Sequence, residues 1–404
     1  MEVPLAMQGL DSDDLDIISQ VFASGNHTMG SKVKEFENQF AKFIGTKYAV
    51  MVNSGSSANL LALEVATRGH NGLLKNAGGK LIAVPAVLWP TSLWPIIQLG
   101  FRVLIIDTQP NSLMIDFNQL REAKKVFSDE LVGVVLIHPL GKSLDLQEVK
   151  SLKDELGLFV IEDTAESLGS GNHGKYSGSV GTFGTFSFYF SHHITTVEGG
   201  MVVTDNLQDY DDLISMRAHG WTRNRSDKVQ IERKYPNLHK DFLFKTSGYN
   251  FRPMEFQGAL GTSQLRKFPD FLSRRLVNAT KVASGIEDTP FEILDFFLKN
   301  ASPDLVHAKM PVHSSMALPI RYKNSAVNVT EVMRFLQLHN IANRPLLAGN
   351  VLFQPAFKHE CIVPYGNLEN ASSLYQQSFM IGNHHNYSSE QIEKIVDVLI
   401  KFSE

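Results

Sequence analysis

Short apolar runs alternate with amphipathic segments over the first half of the chain, and this alternation restricts the possible folds most. Six apolar runs, each bounded by Gly, Asn, Pro or Asp, have the length of buried strands: Ala49–Val52, Leu81–Val84, Val103–Ile106, Leu131–Ile137, Phe159–Ile161 and Met201–Thr204. Four segments between them have apolar residues at helical spacing: Ser57–Thr67, Trp89–Leu99, Phe117–Val126 and Leu146–Glu155. The pattern predicts an α/β fold with a mostly parallel sheet, in which ligands bind beyond the carboxyl ends of the strands.

The pattern changes after about Phe268, which indicates a second, smaller unit. Four further elements are predicted there: a long connecting helix Phe271–Gly285, a strand Met316–Tyr322, and helices Val329–His339 and Ser389–Phe402. We therefore expect a large domain over residues 1–254 and a smaller C-terminal α/β domain over residues 255–404. A chain of 404 residues is long enough for both.

Composition and charge exclude several classes of protein. The chain is 43% hydrophobic and 20% charged, and its net charge of −4 gives no indication of a nucleic-acid or membrane partner. Cys361 is the only cysteine, so an internal disulfide and an all-cysteine iron–sulfur cluster are both impossible. The first 16 residues lack the features of a signal peptide, and no apolar run has the length of a membrane span. We expect a cytoplasmic protein.

The segment Asn53–Asn59 (Asn-Ser-Gly-Ser-Ser-Ala-Asn) follows a predicted strand and opens a predicted helix. Gly55 permits close backbone approach, the first helical N–H groups are free, and the helix dipole favours an anion. Ser56 and Ser57 add hydroxyl donors. The segment fits a phosphate-binding site; a plain capped helix is the alternative, because serine is common at helix starts.

Acidic and aromatic residues follow other predicted strands at their carboxyl ends. Asp163 comes shortly after Phe159–Ile161, and Glu166 lies about one helical turn further on. A carboxylate there can pair with the protonated ring nitrogen of a planar cofactor, although a helix-capping Asp is the alternative. Trp89 can stack on such a ring, and an ordinary buried aromatic residue is its alternative.

Three residues with chemical potential lie between Phe186 and Gly200: Ser187, His192 and His193. Ser187 can donate to a phosphate, and His192 can transfer protons near neutrality, since an unperturbed imidazole has a pKa of about 6.5. No metal is expected, because adjacent strand residues point to opposite faces and no zinc-ligand spacing is present. A buried structural histidine is the alternative for His192.

Taken in order, these motifs resemble the DegT/StrS-type nucleotide-sugar aminotransferase family, a branch of the fold-type I pyridoxal phosphate (PLP) enzymes. The resemblance covers nearly the whole chain, and its residues include Gly30, Phe36-Glu37, Asn53–Asn59, Glu162-Asp163, Phe186–Phe188, Glu198–Gly200, Arg217–Gly220 and Gly248-Tyr249-Asn250-Phe251-Arg252. It implies an aspartate aminotransferase-like fold and a homodimer with shared active sites. In that family the asparagine at the position of Asn250 binds the cofactor phosphate in the neighbouring subunit.

The family's cofactor-binding lysine aligns with His192, which cannot form the lysine's covalent link to PLP. This departure is typical of the family's sugar 3-dehydratase branch, which binds PLP or pyridoxamine phosphate (PMP) non-covalently. With His192 as the catalytic residue, the resemblance implies these cofactor contacts: Gly55, Ser56, Ser57, Trp89, Asp163, Glu166, Ser187 and Asn250. Because Cys361 is alone, no iron–sulfur cluster is expected.

The resemblance also implies a substrate and a reaction. Glutamate converts PLP to PMP, and the C3 hydroxyl of a nucleotide-linked 4-keto-6-deoxy sugar, with GDP as the favoured nucleotide, is then removed with release of ammonia. The residues that it assigns to the substrate are His219, Arg223, Phe244, Arg252 and Asn350. By charge, Arg217 and Arg225 are further candidates for the diphosphate, although a solvated surface arginine is the favoured interpretation of Arg225.

Three questions stay open at this point. The apolar sequence Val351-Leu352-Phe353, within a segment that resembles a substrate loop, leaves the sugar and the base uncertain. An aminotransferase that tolerates histidine is one alternative function. A protein that binds the cofactor or a nucleotide without catalysis is the other.

Overall fold

A computed structural model describes residues 1–68, 79–295, 303–307, 311–324 and 328–403. Its helices are α1 Ser12–Ala23, α2 Ser31–Ile44, α3 Gly55–Arg68, α4 Trp94–Gln98, α5 Phe117–Phe127, α6 Leu146–Asp154, α7 Leu207–Met216, α8 Lys228–Lys234, α9 Glu255–Gly285, α10 Pro303–His307, α11 Val329–Leu338, α12 Glu369–Gln377 and α13 Ser389–Ser403. Its strands are β1 Tyr48–Val52, β2 Leu81–Pro85, β3 Arg102–Ile106, β4 Leu131–Ile137, β5 Phe159–Asp163, β6 Gly171–Asn172, β7 Lys175–Tyr176, β8 Phe183–Ser187, β9 Gly200–Thr204, β10 Phe291–Ile293, β11 Ala317–Tyr322, β12 Asn343–Pro345, β13 Ile362–Pro364 and β14 Ser378–Gly382.

An eight-stranded sheet forms the larger layer, in the order β1-β9-β8-β5-β4-β2-β3-β13. Among the described residues of this sheet, β9 is antiparallel to both of its neighbours and the other pairings are parallel. A smaller sheet, β10-β11-β14-β12, is antiparallel throughout. The predicted α/β class, with a mostly parallel sheet and a smaller C-terminal layer, is confirmed.

Helices cover the large sheet on both faces. Along β2, Ile82 and Val84 pack in one apolar cluster with α3 and α7, whereas Leu81 and Ala83 pack in another with α5 and α6. Successive side chains of a strand point to opposite faces, so a strand between two helical layers is apolar along most of its length. This requirement explains why the central strands were recognisable as uninterrupted apolar runs.

The predicted helix Trp89–Leu99 is divided in the structure. A 3-10 helix at Pro90–Ser92 is followed by the short α4. Pro95 lies in the first turn of α4, and a proline has no N–H group with which to continue a preceding helix. Two short elements therefore replace the single predicted helix.

Helix α9 is longer than the sequence predicts. It begins at Glu255 rather than at Phe271, and it continues through Pro269. A proline in a helix interior removes one backbone hydrogen bond. Here Phe268 and Leu272 are buried on either side of it, and this packing holds the helix against the rest of the fold.

Strand β8, which ends at Ser187, is absent from the predicted strands. Its sequence contains Gly184, and glycine weakens a strand signal. A Cβ atom at Gly184 would lie 2.1 Å from the carbonyl oxygen of Gly178. The glycine is therefore required by the close approach of the preceding loop, an approach that no sequence pattern indicates.

Strand β13 links the C-terminal part of the chain to the large sheet. It pairs in parallel with β3, from Ile362 opposite Val103 to Pro364 opposite Ile105. These residues lie in the range 255–404 that the sequence assigns to the smaller domain. The division at 254/255 stays a prediction.

The buried carboxylate of Glu162 in β5 holds the loop that leads into β8. It accepts hydrogen bonds from the N–H groups of Gly178, Val180 and Gly181 at 3.0, 2.8 and 2.6 Å, and its Oε2 lies 2.9 Å from Nε2 of His138. Burial opposes ionisation, but the hydrogen bonds from His138 and the amides outweigh it and hold the pKa of Glu162 below its usual range.

We expect Glu162→Gln to lower the free energy of unfolding at pH 7 by about 3–5 kcal/mol, the range for removal of one partner from a buried pair. Because the folded pKa is lowered, the contribution of Glu162 is complete above its unfolded pKa of about 4.3 and is lost as the pH falls through the folded value. Urea unfolding of parent and variant at pH 7 and pH 3 measures both effects, and the difference should shrink at pH 3.

The matched control is Glu122→Gln, which changes an exposed carboxylate on α5 in the same way. Its free energy of unfolding should stay within about 0.5 kcal/mol of the parent's. Equal losses for the two variants at pH 7 would show that the hydrogen bonds of Glu162 do not stabilise the fold.

Candidate active site

One edge of the large sheet brings the predicted motifs together. Strand β1 leads into Asn53, β5 ends at Asp163 and β8 ends at Ser187, and these three strands run in the same direction. The antiparallel β9 begins at Gly200 at the same edge, opposite Ser187. Ligands of mostly parallel sheets bind at such an edge.

Gly55, the first residue of α3, lies directly against Ser187. A Cβ atom at Gly55 would lie 2.6 Å from the Cβ and 2.9 Å from the Oγ of Ser187. Ser54 Oγ accepts a hydrogen bond from the N–H of Ser57 at 3.1 Å, and Ser56 is exposed. The start of α3 and the Ser187 hydroxyl therefore lie side by side, an arrangement that fits an anion and that depends on the missing side chain at residue 55.

Asp163 is nearly fully buried and receives three hydrogen bonds. Its Oδ2 accepts from Asn59 Nδ2 at 2.7 Å and from Ser92 Oγ at 2.6 Å, and its Oδ1 accepts from the N–H of Ala165 at 3.1 Å. Thr185 Oγ1 orients Asn59 by donating to its Oδ1 at 2.6 Å. These three donors fix the orientation of the carboxylate at the edge of the sheet.

Glu166 lies beyond Asp163 on the same segment. Its Oε2 accepts a hydrogen bond from the N–H of Leu140 at 3.2 Å. Burial is the main reason that its pKa rises to about 7; the Leu140 hydrogen bond opposes the rise, and repulsion from Asp163 adds to it. At neutral pH this carboxyl group is therefore divided between its acid and its carboxylate forms, and it can donate or accept a hydrogen bond.

His192 lies in the turns that connect β8 to β9. Its Nδ1 is 3.4 Å from the carbonyl oxygen of Ser187, and its backbone N–H donates to the Tyr189 carbonyl at 3.0 Å. Since a carbonyl oxygen only accepts, we place the ring proton on Nδ1, which leaves Nε2 to accept a proton. Burial, with a smaller contribution from the charge of Arg275, lowers the pKa of His192 to about 4. The free imidazole is therefore neutral at pH 7.

His193 points away from His192. It is buried, and its Nε2 lies 3.1 Å from the carbonyl oxygen of Ser314. The two histidines lie in turns rather than in the strand that the sequence indicated. Their imidazoles nevertheless have different partners. Within the described ranges, no group of three or more His, Cys, Asp or Glu side chains is placed to hold a metal ion.

Trp89 lies beside the loop that contains Asn350. The indole is 59% exposed, and a backbone bridge between Val87 and Asn350 joins the two segments. The Asn350 side chain is itself buried: its Nδ2 donates to Ser372 Oγ at 3.0 Å and its Oδ1 accepts from the N–H of Leu352 at 3.1 Å. Both polar atoms hold the loop here, and the role of Asn350 as a substrate residue stays a prediction.

The remaining predicted binding residues lie together on a second surface: His219, Arg223, Phe244, Asn250 and Arg252. The guanidinium carbon of Arg223 is 4.2 Å from the centre of the Trp221 ring, and Phe244 stacks on that ring with centres 5.7 Å apart. Arg252 Nε donates to Asn250 Oδ1 at 3.0 Å. In the part of the chain that is described, no hydrogen bond, ion pair or ring contact joins these residues to Ser187 or His192 of the same chain.

Comparison with known proteins assigns the chain to a family. The model of the DegT/DnrJ/EryC1/StrS aminotransferase family matches residues 8–400. This protein belongs to that family. The earlier resemblance to the DegT/StrS type is thus confirmed, and the family explains why the motifs meet at one edge of the sheet.

Several relatives and solved structures are similar to this chain over almost its whole length. GDP-4-keto-6-deoxy-D-mannose 3-dehydratase of Escherichia coli O55:H7 is 35% identical over 98% of this chain and 99% of its own length. The structure of an E. coli GDP-4-keto-6-deoxy-D-mannose-3-dehydratase with bound hydrated PLP has a TM-score of 0.87 and 33% identity, with 99% of each chain covered. Another, of GDP-4-keto-6-deoxymannose-3-dehydratase with a trapped PLP-glutamate geminal diamine, has the same TM-score and identity and covers 98% and 100%. The chain is therefore a PLP-dependent, nucleotide-sugar enzyme of the DegT family.

Two further arginines that the family pattern offers for the diphosphate are structural residues. Arg217 is buried, and its Nη1 donates at 2.6 Å both to Glu37 Oε1 and to the carbonyl oxygen of Met51. Arg225 is also buried and forms ion pairs at 2.6 and 2.7 Å with Asp212 and Asp227. The interpretation of Arg225 as a solvated surface residue is therefore wrong. The guanidinium of Arg217 is already engaged by Glu37 and by the backbone of Met51.

Three residues of the site were not singled out from the sequence: Asn59, Ser92 and Arg275. Asn59 lies four residues after Gly55, on the same face of a helix, and this spacing was an available signal. Arg275 lies on the apolar face of the predicted helix Phe271–Gly285. An arginine at such a position was a second available signal. Ser92 had no signal, because its contact with Asp163 depends on how the chain turns after β2.

We expect Gly55→Ala to weaken PLP binding by at least about tenfold, which corresponds to about 1.4 kcal/mol. The added Cβ would displace Ser187, because the two side chains would share one space. Titration of the protein with PLP, followed by absorbance, measures the Kd.

The control is Gly9→Ala, whose Cβ would lie 3.6 Å from Thr195, an ordinary contact distance. This variant should bind PLP with the parent's Kd. If Gly55→Ala also keeps the parent's Kd, the start of α3 is not the phosphate site.

Proposed function

We propose that the protein is a PLP/PMP-dependent 3-dehydratase that removes the C3 hydroxyl of GDP-4-keto-6-deoxymannose in 3,6-dideoxysugar biosynthesis. Glutamate is the amino donor, ammonia is released, and the reaction takes place in the cytoplasm. The observation that carries the proposal is His192, a neutral imidazole at the position to which the family pattern assigns a lysine. The similarity to GDP-4-keto-6-deoxy-D-mannose 3-dehydratases supports the sugar and the nucleotide.

The residues at the sheet edge fit the cofactor. The start of α3 with Ser187 would hold its phosphate, the buried Asp163 would hold its ring nitrogen, and the exposed Trp89 is available to stack on the ring. Glu166, partly protonated at neutral pH, would contact the ring from its side of the site. When bound, PLP or PMP supplies an electron sink for cleavage of the bond at C3.

His192 would carry the protons in both halves of the reaction. Its Nε2 accepts a proton from the carbon being deprotonated, while Nδ1 keeps the ring oriented towards the Ser187 carbonyl. A pKa of about 4 makes the free imidazole a weak base, but the negative charges of a bound phosphate and diphosphate raise a nearby pKa towards neutrality. General base catalysis of this kind contributes roughly 10²- to 10⁴-fold to a rate.

The missing amine at residue 192 favours elimination over amino transfer. A lysine at that position competes for the cofactor aldehyde and delivers the proton that completes amination. A neutral imidazole does not form the covalent link, and it returns only the proton that it has taken. The amino group therefore leaves with the product, and hydrolysis then releases ammonia.

We further propose a homodimer in which each active site uses residues of both subunits. Among the described residues, no hydrogen bond, ion pair or ring contact joins the surface with Asn250 to Ser187 or His192 of the same chain, which supports a role at the neighbouring site. Exposed apolar side chains occur on both surfaces: Trp89, Tyr189, Phe190, Phe242 and Phe244. Apolar exposure of this extent is typical of protein–protein interfaces. His219, Arg223 and Arg252 would then meet the substrate at the junction of the two subunits.

The dehydration is tested by mass spectrometry of GDP-4-keto-6-deoxymannose incubated with the protein, PLP and glutamate. We expect a GDP-linked 3-deoxy-4-keto sugar and one equivalent of free ammonia, because loss of the C3 hydroxyl leaves an unsaturated amine that water hydrolyses to the ketone. A stable amino sugar would instead identify a nucleotide-sugar aminotransferase. No change of the PLP spectrum on addition of glutamate would identify a non-catalytic binding protein.

The matched variant is His192→Lys, which restores the amine of the family pattern. It should form a covalent cofactor link with visible absorbance and should lose dehydration. A variant that dehydrates the sugar as fast as the parent would exclude His192 as the proton carrier.

Shared active sites are tested with hybrid dimers made by co-expression of His192→Asn and Asn250→Ala subunits with different tags. The homodimer of the His192→Asn variant and the homodimer of the Asn250→Ala variant should each be inactive. In the hybrid, one site has both defects and the other has neither, so we expect roughly half of the parental activity per dimer.

The control hybrid combines His192→Asn with Ser187→Ala. We expect these two residues to serve the same subunit's site, so each site of this hybrid keeps one defect and no activity should return. A lack of recovery in the Asn250 hybrid as well would show that Asn250 acts within its own subunit.

A further inference from the structure

Helix α9 places a buried arginine below the loop that carries His192. Arg275 is 1% exposed, and its guanidinium contacts three separate backbone segments. Its Nη1 donates to the carbonyl oxygen of Met316 at 2.9 Å and to that of Asn383, and its Nη2 donates to that of His192 at 3.4 Å. Among the described residues, no carboxylate forms an ion pair with Arg275, and its pKa of about 10 keeps it cationic at neutral pH.

These contacts continue to the other side of the site. Asn383 Nδ2 donates back to the carbonyl oxygen of Arg275 at 3.0 Å. The N–H of Met316 donates to the carbonyl of Leu140 at 3.2 Å, and the N–H of Leu140 donates to Glu166 at 3.2 Å. One continuous set of hydrogen bonds therefore connects the backbone of His192, through Arg275, to the carboxyl group of Glu166.

The groups around Arg275 are mostly uncharged. The titratable and charged groups that face Arg275 or His192 are His193 beside it, His313 beyond His193, His384, His385 and Tyr387 after β14, and Arg274 on α9 itself. Burial is the main cause of the lowered pKa values of these buried histidines, and the charge of Arg275 lowers those of His192, His193, His384 and His385 further. The charge of Arg275 thus acts on all four imidazoles, and that of Arg274 acts on His385 as well.

We propose that Arg275 is a positioning residue for His192: by donating to the carbonyl oxygens of His192, Met316 and Asn383, its guanidinium fixes the loop that carries the imidazole. A buried cation without a counter-charge destabilises a fold, so stability alone does not account for an arginine here. The planar fork of a guanidinium can donate to several carbonyl oxygens at fixed angles, which a methionine or a lysine cannot do. The inference rests on the proposed function of His192 as proton carrier.

Two substitutions separate the charge from the geometry. Arg275→Met removes both, whereas Arg275→Lys keeps the charge and loses the fixed set of donors. The full-length protein is titrated with PLP bound and without substrate, and the pKa of His192 is measured by NMR of ¹³C-labelled histidine. The signal of His192 is the one that disappears in His192→Asn.

In Arg275→Met we expect the pKa of His192 to rise, because a positive charge that lowers it is removed. The acid limb of the pH profile of kcat should move in the same direction. In Arg275→Lys the pKa should stay near the parent's, while kcat falls roughly 10- to 100-fold with little change in KM, because the loop is misplaced.

The control is Arg274→Met, which removes the same charge from the neighbouring, exposed position of α9. If Arg275→Met shifts the pKa of His192 no more than this control does, or keeps the parent's kcat and pH profile, the inference is wrong. Should Arg275→Met fail to fold, as judged by circular dichroism, Arg275→Gln and Arg275→Lys provide the same comparison. Because the NMR titration involves no turnover, its outcome is independent of whether the parent dehydrates the sugar.

Discussion

The pairing of β5, β8 and β9 is the constraint on which the site depends. Because β5 and β8 are parallel and Asp163 lies opposite Thr185, the acidic residue and Ser187 end at the same edge of the sheet. Because β9 returns antiparallel with Gly200 opposite Ser187, the connection between them must be compact. His192 lies in that connection, so the strand register determines which side chains it can meet.

Hydrogen-bond donors, from the His138 side chain and from the backbone, determine the charge of two glutamates near the site. Glu162 and Glu166 are close in sequence, yet their pKa values move in opposite directions. Glu162 receives three N–H groups and the imidazole of His138, whereas Glu166 receives the single N–H of Leu140 and lies near the negative Asp163. Burial favours the neutral acid in both residues, and only Glu162 has enough donors to reverse it. One short segment thus supplies a permanent anion and a group that changes charge near neutrality.

Much of the fold was predictable from the sequence, because strands covered on both faces are apolar along most of their length. The meeting of the segment Asn53–Asn59, Asp163 and the Ser187–His192 stretch at one edge of the sheet was predictable from their order along the chain. Ser92 and the glycine-containing β8 were not, since their places depend on the approach of distant backbone. The start of α9 at Glu255 was not predicted, because Pro269 indicated a helix boundary. The burial of Arg217 and Arg225 was not predicted, because most arginines face solvent.

The parallel pairing of β13 with β3 has a consequence for biosynthesis of the chain. On the ribosome, the other strands of the large sheet emerge well before residues 362–364, so β3 remains an unprotected edge until β13 has been made. Open edges of apolar strands are sites of aggregation. The nascent protein therefore passes through a late, vulnerable stage, and a fragment that stops before residue 362 leaves that edge permanently exposed.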